Sequence, residues 1–482
     1  MKRKIEHILI LAGLFLAPAC GGGKEKCQLT PAEGSLAGYY QVTVTCPDRS
    51  FSSTQVPSVR FGENFAVKIQ VIDSHAISAT VQGVPEPGKV DVSIDTDGSE
   101  QILKAAFTYL PAADPVFDRM FAIGASWTMG VQSGSFSPEG QLNGPAAQFA
   151  RRVGAYFPLP LVKFAVPAPV QVADLIGHCS PEDLVNIKLG GIEEVVSYVS
   201  RQNEISLAVI REDPDIQVQN LAIGGAKIHD VIYGGGAMKR IDIAFLENLV
   251  YFPRAPLAKI FVTPEVGSQL DLVEAGHPTL VMITDLFAND LAPAVFKDGL
   301  ADPALATPLD SFRDDTRTLL SRLSATGAEV FVGNLGHPIT LPWLKEKIKV
   351  LEHEGHIQEI DKMMAEIETM VEQYTGIFAE EASPYSNIHI VDLASAFAEI
   401  DGNGLLVGSE TLTTRMFGGL ISLDGIHPSR TGYALYANLF LESVNTVRGL
   451  DLPLVDLAPV LADDPLSPSA IQAAGLDPDL CQ

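Results

Sequence analysis

Phe121-Ala122-Ile123-Gly124-Ala125-Ser126 is a short apolar run that breaks at a glycine and then presents a hydroxyl. Such a run reads as a β-strand. Its end places Ser126 just past the carboxyl edge, where open α/β sheets hold their ligands. Far downstream, Asp424-Gly425-Ile426-His427-Pro428 sets a carboxylate and an imidazole three residues apart. With Asp424 orienting the ring through one nitrogen, the other nitrogen of His427 is free to take the proton of Ser126, so the chain reads as a serine hydrolase. A Gly-Ala-Ser turn alone is common, and Asp-x-x-His-Pro alone serves equally well as a helix cap. Order and context carry the reading: strand then serine, strand then Gly-Gly, strand then Asn-Asp, loop then Asp and His.

Working outward, residues 120–123, 217–223, 280–286, 329–332 and 388–391 are short β-rich runs separated by helical patterns, which predicts an α/β fold with a parallel sheet between helical layers. One helix is marked by Thr307 as N-cap, Pro308 at the first position, an apolar face of Leu309, Phe312, Thr316, Leu319, Leu320 and Leu323, and Gly327 past its end. Ser180-Pro181-Glu182-Asp183 marks another start. Before the linker Leu110-Pro111-Ala112-Ala113-Asp114-Pro115, residues 40–44, 65–71 and 90–94 alternate apolar and polar side chains, and Asp95-Thr96-Asp97-Gly98 is a turn. These predict a small N-terminal β-sandwich, expected to act as a spacer.

The motifs around Ser126 and His427 resemble the SGNH (GDSL-like) hydrolase family, over roughly residues 121–442. The first block is Phe121 to Gly130. The second is Asn220-Leu221-Ala222-Ile223-Gly224-Gly225-Ala226, and the third Thr284-Asp285-Leu286-Phe287-Ala288-Asn289-Asp290. The last is Leu423-Asp424-Gly425-Ile426-His427-Pro428-Ser429, followed by Thr431-Gly432-Tyr433. The resemblance implies a three-layer α/β/α fold of flavodoxin-like kind, with Ser126, His427 and Asp424 catalytic. It also implies an oxyanion hole made by the Ser126 and Gly225 backbone N–H groups and the Asn289 side chain. Ala125 stands where the family has an acidic residue, and Phe287 where it has glycine. A looser turn at Ser126 and a narrower space near the oxyanion are the expected consequences.

The start of the chain is basic, Met1-Lys2-Arg3-Lys4, and Ile8 to Leu16 is apolar but too short to span a bilayer. Ala17-Pro18-Ala19-Cys20 followed by Gly21-Gly22-Gly23 resembles a bacterial lipobox, which implies lipidation at Cys20 and a place in the cell envelope, periplasmic or at the outer-membrane surface. The formal charge of −26 argues against nucleic acid and anionic lipid as partners, so membrane attachment is expected through the lipid itself. Four further cysteines leave three pairings open; Cys27 with Cys46, flanking one short segment, and Cys179 with Cys481 are the expected ones. His353-Glu354-Gly355-His356 lacks the spacing of a metal-binding helix, and the chemistry calls for neither metal nor organic cofactor.

The expected organisation is therefore a signal peptide over 1–19, a tether over 20–38, the β domain over 39–110 and the hydrolase domain over 117–448. Insertions are expected near 233–276 and 341–381, and a Pro- and Asp-rich tail over 449–482 without regular structure. In the second insertion Ile357, Ile360, Met364, Ile367, Val371 and Tyr374 form a helical apolar stripe with Met363 and Met370 beside it. That is usually core, but soft methionine surface also suits an acyl-binding wall. The expected substrate is a carboxylic ester of a lipid or an acylated sugar. The competing class is a non-catalytic surface lipoprotein that keeps the fold as a binding module.

Overall fold

The structure, a computed structural model, describes residues 27–165, 168–185, 211–213, 215–234, 268–297, 299–334 and 336–476. The expected signal peptide, Cys20, Cys481 and most of the insertion near 233–276 lie outside the described residues. The chain divides into two compact units, one built from residues up to 32, 41–81 and 90–107, the other from 33–40, 82–89 and 108 onward.

In the first unit, Gln41-Val42-Thr43-Val44-Thr45 buries both valines completely and leaves its two ends exposed, the period of two that a half-buried strand requires. The strands are β1 (Gln28–Thr30), β2 (Gln41–Thr45), β3 (Ser58–Phe61), β4 (Lys68–Asp73), β5 (Ala76–Thr80), β6 (Gly88–Thr96) and β7 (Ser99–Leu110). They form two sheets, β1-β2-β5-β4 and β7-β6-β3, the latter edged by Asn64–Phe65. Asp97 and Gly98 both have positive φ, the signature of the tight turn joining β6 to β7. The single strand expected over 65–71 is divided: the Ala66 N–H donates to Val59 in one sheet and the Val67 N–H to Thr80 in the other. Successive N–H groups of an extended chain point in opposite directions, so the segment changes sheet within one step. Cys27 and Cys46 are joined by a disulfide.

The second unit is built on a parallel sheet. In chain order its elements include β8 (Met120–Ala122), α1 (Ser126–Met129), α2 (Pro145–Val153), α3 (Ile228–Tyr233), α4 (Gln269–Ala275) and β9 (Leu280–Ile283). Then come α5 (Ala288–Val295), α6 (Leu309–Ala325), β10 (Glu329–Gly333), α7 (Pro342–His353), α8 (Ile357–Ala382), β11 (Ile388–Val391), α9 (Leu393–Asn403) and α10 (Arg430–Arg448). The sheet order is β8-β9-β10-β11, all parallel, with Ala122, Met282 and Phe331 in register. Alternate side chains go to opposite faces. Phe121, Ile123, Val281, Ile283, Val330 and Val332 pack against α3 to α8. Met120, Ala122, Leu280, Met282, Phe331 and Val391 pack against α2, α9 and α10. Strands apolar on both sides are what a sheet covered by helices on both faces demands.

Three expectations are corrected. Residues 217–223 run beside β8 through the Ala122–Asn220 bridge and a few hydrogen bonds but form no regular strand; the Asn220 side chain accepts from Ala222 N. Thr307 does not cap α6; its hydroxyl donates to Asp290 at 2.7 Å, and Pro308 takes the cap position without a side-chain bond. The tail carries two short helices, Leu457–Ala462 and Pro468–Ala473, capped by Asp456 and Ser467 and anchored by buried Leu461 and Ile471. Here proline opens a helix rather than preventing one. The methionine stripe, by contrast, is core as such a stripe usually is: Ile360, Met363, Ile367, Met370 and Tyr374 are buried, in a cluster shared with α6, while Ile357 is 64% exposed.

Candidate active site

At the end of β8 the chain must leave the sheet within two residues. Gly124 does this at φ +133, and a Cβ there would lie 2.8 Å from Thr128 Oγ1 and 2.9 Å from an Asp285 oxygen. Both its backbone groups are bound by the buried amide of Gln269, which accepts from Gly124 N at 2.9 Å and donates to Gly124 O at 3.1 Å. The one-turn helix α1 then starts at Ser126, with no side chain at its own cap to receive its N–H groups.

Asp285 supplies that cap from the next strand. Its carboxylate accepts from Ala125 N (3.0 Å), Trp127 N (2.7 Å), Thr128 N (3.4 Å) and Thr128 Oγ1 (2.7 Å). The turn at Ser126 is therefore not loosened by Ala125; the carboxylate comes from the third block instead of the first. Sequence reading missed Asp285, whose only signal was an acidic residue directly after an apolar strand. Asp285 bypasses one donor, the N–H of Ser126 itself, which has no acceptor among the described residues.

The second block is fastened to this turn. Asn220 donates to the Thr128 carbonyl at 2.9 Å, and a Cβ on Gly224 would lie 3.8 Å from the Ser126 Cβ. Gly225 has φ +77 in open space, so glycine is needed there for the backbone turn and not for close packing. Its N–H also has no acceptor among the described residues. The third block reaches the second through two side chains. Asn289 donates one amide hydrogen to Ala226 O at 3.0 Å, leaving the other. Asp290 accepts from Ile228 N at 3.2 Å and from Thr307. Burial pushes the Asp290 carboxyl up to about 6, against the lowering effect of Thr307, Lys227 and Ile228 N.

Phe287 lines the apolar recess that also holds Trp127 and Ala288. It is 1% exposed and meets Phe312 edge to face and Phe378 at a tilt in the core.

The last block forms a tight turn in which Ser422 N donates to the His427 carbonyl at 2.7 Å. Gly425 has φ +71 and its Cβ position lies 3.0 Å from Trp343 N, so a side chain there would strain the backbone and crowd Trp343. The helix-cap reading of Asp424 does not hold, since Ser429 caps α10. Asp424 instead accepts Ile426 N and His427 N on one oxygen, and His427 Nδ1–H (2.8 Å) and Gly134 N (2.5 Å) on the other. Burial pushes its carboxyl up, but the charge and hydrogen bond of His427 and the backbone N–H groups outweigh this and hold it below the usual range. The imidazole is thus fixed with Nε2 free, and neither Nε2 nor Ser126 Oγ has a partner among the described residues.

A second set of bonds ties this turn to the serine. Val131 N donates to the Ser126 carbonyl, and Ser133 N and Gly134 N donate to Ser422 Oγ and Asp424. Of the residues read from sequence, the structure thus draws Ser126 to the Gly224-Gly225 turn, Asn289 to that same turn, and Asp424 to His427; Cys20 lies outside the described residues.

Among known families, residues 120–440 match the GDSL-like Lipase/Acylhydrolase family. Similar solved structures include a psychrotrophic esterase from Pseudoalteromonas sp. inhibited by monoethylphosphonate, at 13% identity over 69% of this chain and 100% of that one, with a TM-score of 0.28. Another is an acetyl xylan esterase from Geobacillus stearothermophilus, at 14% identity over 67% of this chain and 93% of that one, with a TM-score of 0.30. A Bacillus subtilis protein is 14% identical over 86% of this chain and 82% of its own, with a TM-score of 0.28. No curated protein matches the chain.

Proposed function

The chain belongs to the GDSL-like lipase/acylhydrolase family, and from that premise we propose that it is a serine carboxylesterase that works through an acyl-enzyme. Ser126 Oγ attacks the ester carbonyl while His427 Nε2 takes its proton; the same nitrogen then returns that proton to the leaving alcohol, and a water completes the cycle in reverse order. Asp424 keeps the ring in the required tautomer and stabilises the imidazolium. The oxyanion is received by the N–H groups of Ser126 and Gly225 and the second amide hydrogen of Asn289.

The single observation that carries this reading is the pattern of unclaimed groups. In a turn where Asp285 binds the N–H groups of residues 125, 127 and 128, that of Ser126 is left open. Donors held open inside a folded loop cost stability unless a developing charge meets them. We read the first unit as a small β-sandwich spacer and Cys20 as the lipidated residue that holds the enzyme in the cell envelope. A fluorophosphonate probe tests the core of the proposal: an adduct mapped to Ser126 and absent from Ser126→Ala is expected, whereas inert wild-type protein would leave only a binding module.

A further inference from the structure

Gln269 opens α4, yet its side chain takes no part in the cap of that helix. Ser268 caps it, accepting from Asp271 N at 3.1 Å while Asp271 accepts from Ser268 N at 2.8 Å. The Gln269 side chain, 2% exposed, reaches back 145 positions to Gly124 instead. Its oxygen accepts from Gly124 N and its nitrogen donates to Gly124 O, the exchange that a facing residue makes in an antiparallel ladder.

This substitute pairing stands where the sheet gives out. Ile123 N still donates to Met282 O across the sheet; the next N–H goes to Gln269 and the one after it to Asp285. The peptide between Gly124 and Ala125 is therefore held at both ends, its carbonyl by Gln269 and by Ile223 N at 3.1 Å, its N–H by Asp285 at 3.0 Å. The following peptide bears the open N–H of Ser126. At φ +133 glycine has no side chain to fix its own direction, so the path by which the chain leaves β8 depends on these partners. The element that carries the amide is anchored in turn: Leu270 and Val273 are fully buried in the cluster that contains Phe121 and Ile123, and Arg322 of α6 pairs with Asp271 at 2.7 Å and Glu274 at 2.6 Å.

We propose that Gln269 is a positioning residue for the nucleophile, which sets the direction of the Ser126 hydroxyl and N–H through Gly124 and touches no substrate. This rests on the Ser126 esterase reading and adds to it a requirement for a neutral amide at position 269. Only a group that donates and accepts at once satisfies both sides of Gly124.

The test uses the full-length protein, p-nitrophenyl acetate and a fluorophosphonate probe. In Gln269→Leu both backbone groups of Gly124 lose their partner, and kcat should fall about 10²-fold, the scale of a misplacement of about 1 Å, with KM changed by less than about three-fold. Gln269→Glu separates positioning from packing. As a neutral acid the new carboxyl accepts from Gly124 N and donates to Gly124 O; ionised, it has no proton to give and sets a negative charge against that carbonyl. Burial and the Asp285 carboxylate on the adjoining N–H both raise its pKa. The ratio of variant to wild-type kcat, in which the ionisation of His427 cancels, should therefore be highest near about pH 5 and fall about ten-fold or more by about pH 9. The rate of fluorophosphonate labelling at Ser126 should follow the same ratio. A contact that only stabilises the fold would leave the ratio flat in protein that circular dichroism shows to be folded at each pH. Wild type that labels at Ser126 and hydrolyses the ester, with a flat ratio in Gln269→Glu and unchanged kcat in Gln269→Leu, would overturn the positioning role and leave the esterase standing. If Gln269→Leu does not fold, the Gln269→Glu ratio alone decides. Wild type that neither labels nor hydrolyses the ester would overturn both.

Discussion

Asp285 sets how Ser126 is presented, because three backbone N–H groups and one hydroxyl of the turn converge on its buried carboxylate. Asp285→Ala would leave those donors buried and unpaired, at about 1–3 kcal/mol each before relaxation. A loss of about 2–4 kcal/mol in urea unfolding and at least ten-fold in kcat is expected. Ala125→Asp in that background should restore part of kcat if the carboxylate's role is to hold the turn; no restoration would mean that Asp285 acts in another way. Asn289→Ala removes one oxyanion donor and should lower kcat about 10²- to 10³-fold with little change in KM; a change confined to KM would contradict that role. Asp290 makes a pH prediction. Its folded pKa, about 6, lies above the ordinary carboxylate value of 3.8 because of burial. The folded state thus favours the neutral form, and stability is lost as pH rises between those values, by about 3 kcal/mol. Asp290→Asn keeps an acceptor for Ile228 N without the charge. Its stability relative to wild type should improve by that amount between pH 4 and pH 7, and a flat difference would refute the assignment. Asp424 contributes in the opposite sense, since its depressed pKa adds stability above the unfolded value that is lost in acid.

Among the elements, α8 shows how a helical stripe is to be read. Its buried face runs Ile360, Met363, Ile367, Met370, Tyr374, Ile377, at steps of 3 and 4, and packs against α6. Sequence spacing identified the stripe but placed its edge one residue off, taking Met364 and Val371 where Met363 and Met370 are the buried pair. Apolar residues stand at all of these positions, and only the partner helix selects among them. Ile367→Ala, at a fully buried position, should cost about 2–5 kcal/mol with kcat/KM for short and long esters reduced equally or not at all. Ile357→Ala, on the exposed end, should change stability by less than about 0.5 kcal/mol. If Ile367→Ala altered chain-length preference without altering stability, the helix would be part of a lid. The same contrast explains residues 217–223, where a β-rich run ending at Gly224-Gly225 is a strand by pattern. Its hydrogen bonds to β8 stop after a few residues because the segment has to bend Gly224 and Gly225 toward Ser126.

For the whole molecule, removing residues 1–19 takes away Lys2, Arg3, Lys4 and Glu6, so a mature chain beginning at Cys20 would carry −28, and no electrostatic affinity for anionic lipid would help to hold it at a membrane. Anchoring should then depend on Cys20 alone. Wild type should partition into the detergent phase and Cys20→Ala should not; equal partitioning would remove the lipoprotein assignment. Local pattern was enough for the parallel strands, since a buried strand needs a continuous apolar run, and for the Asp424–His427 turn, since three residues is the span over which one carboxylate can hold both its own turn and the ring. Sequence alone also placed Ser126 at a strand end, where a glycine breaks the run. What it could not contain was any relation between residues far apart: that Asp285 reaches back 158 positions to Trp127, that Gln269 reads both sides of Gly124, or that Phe287 packs against Phe312 and Phe378. Those contacts depend on how strands order themselves across a sheet. Only the packed fold decided them, because a hydrogen bond between distant segments has no signature until both of its ends have been brought to the same place.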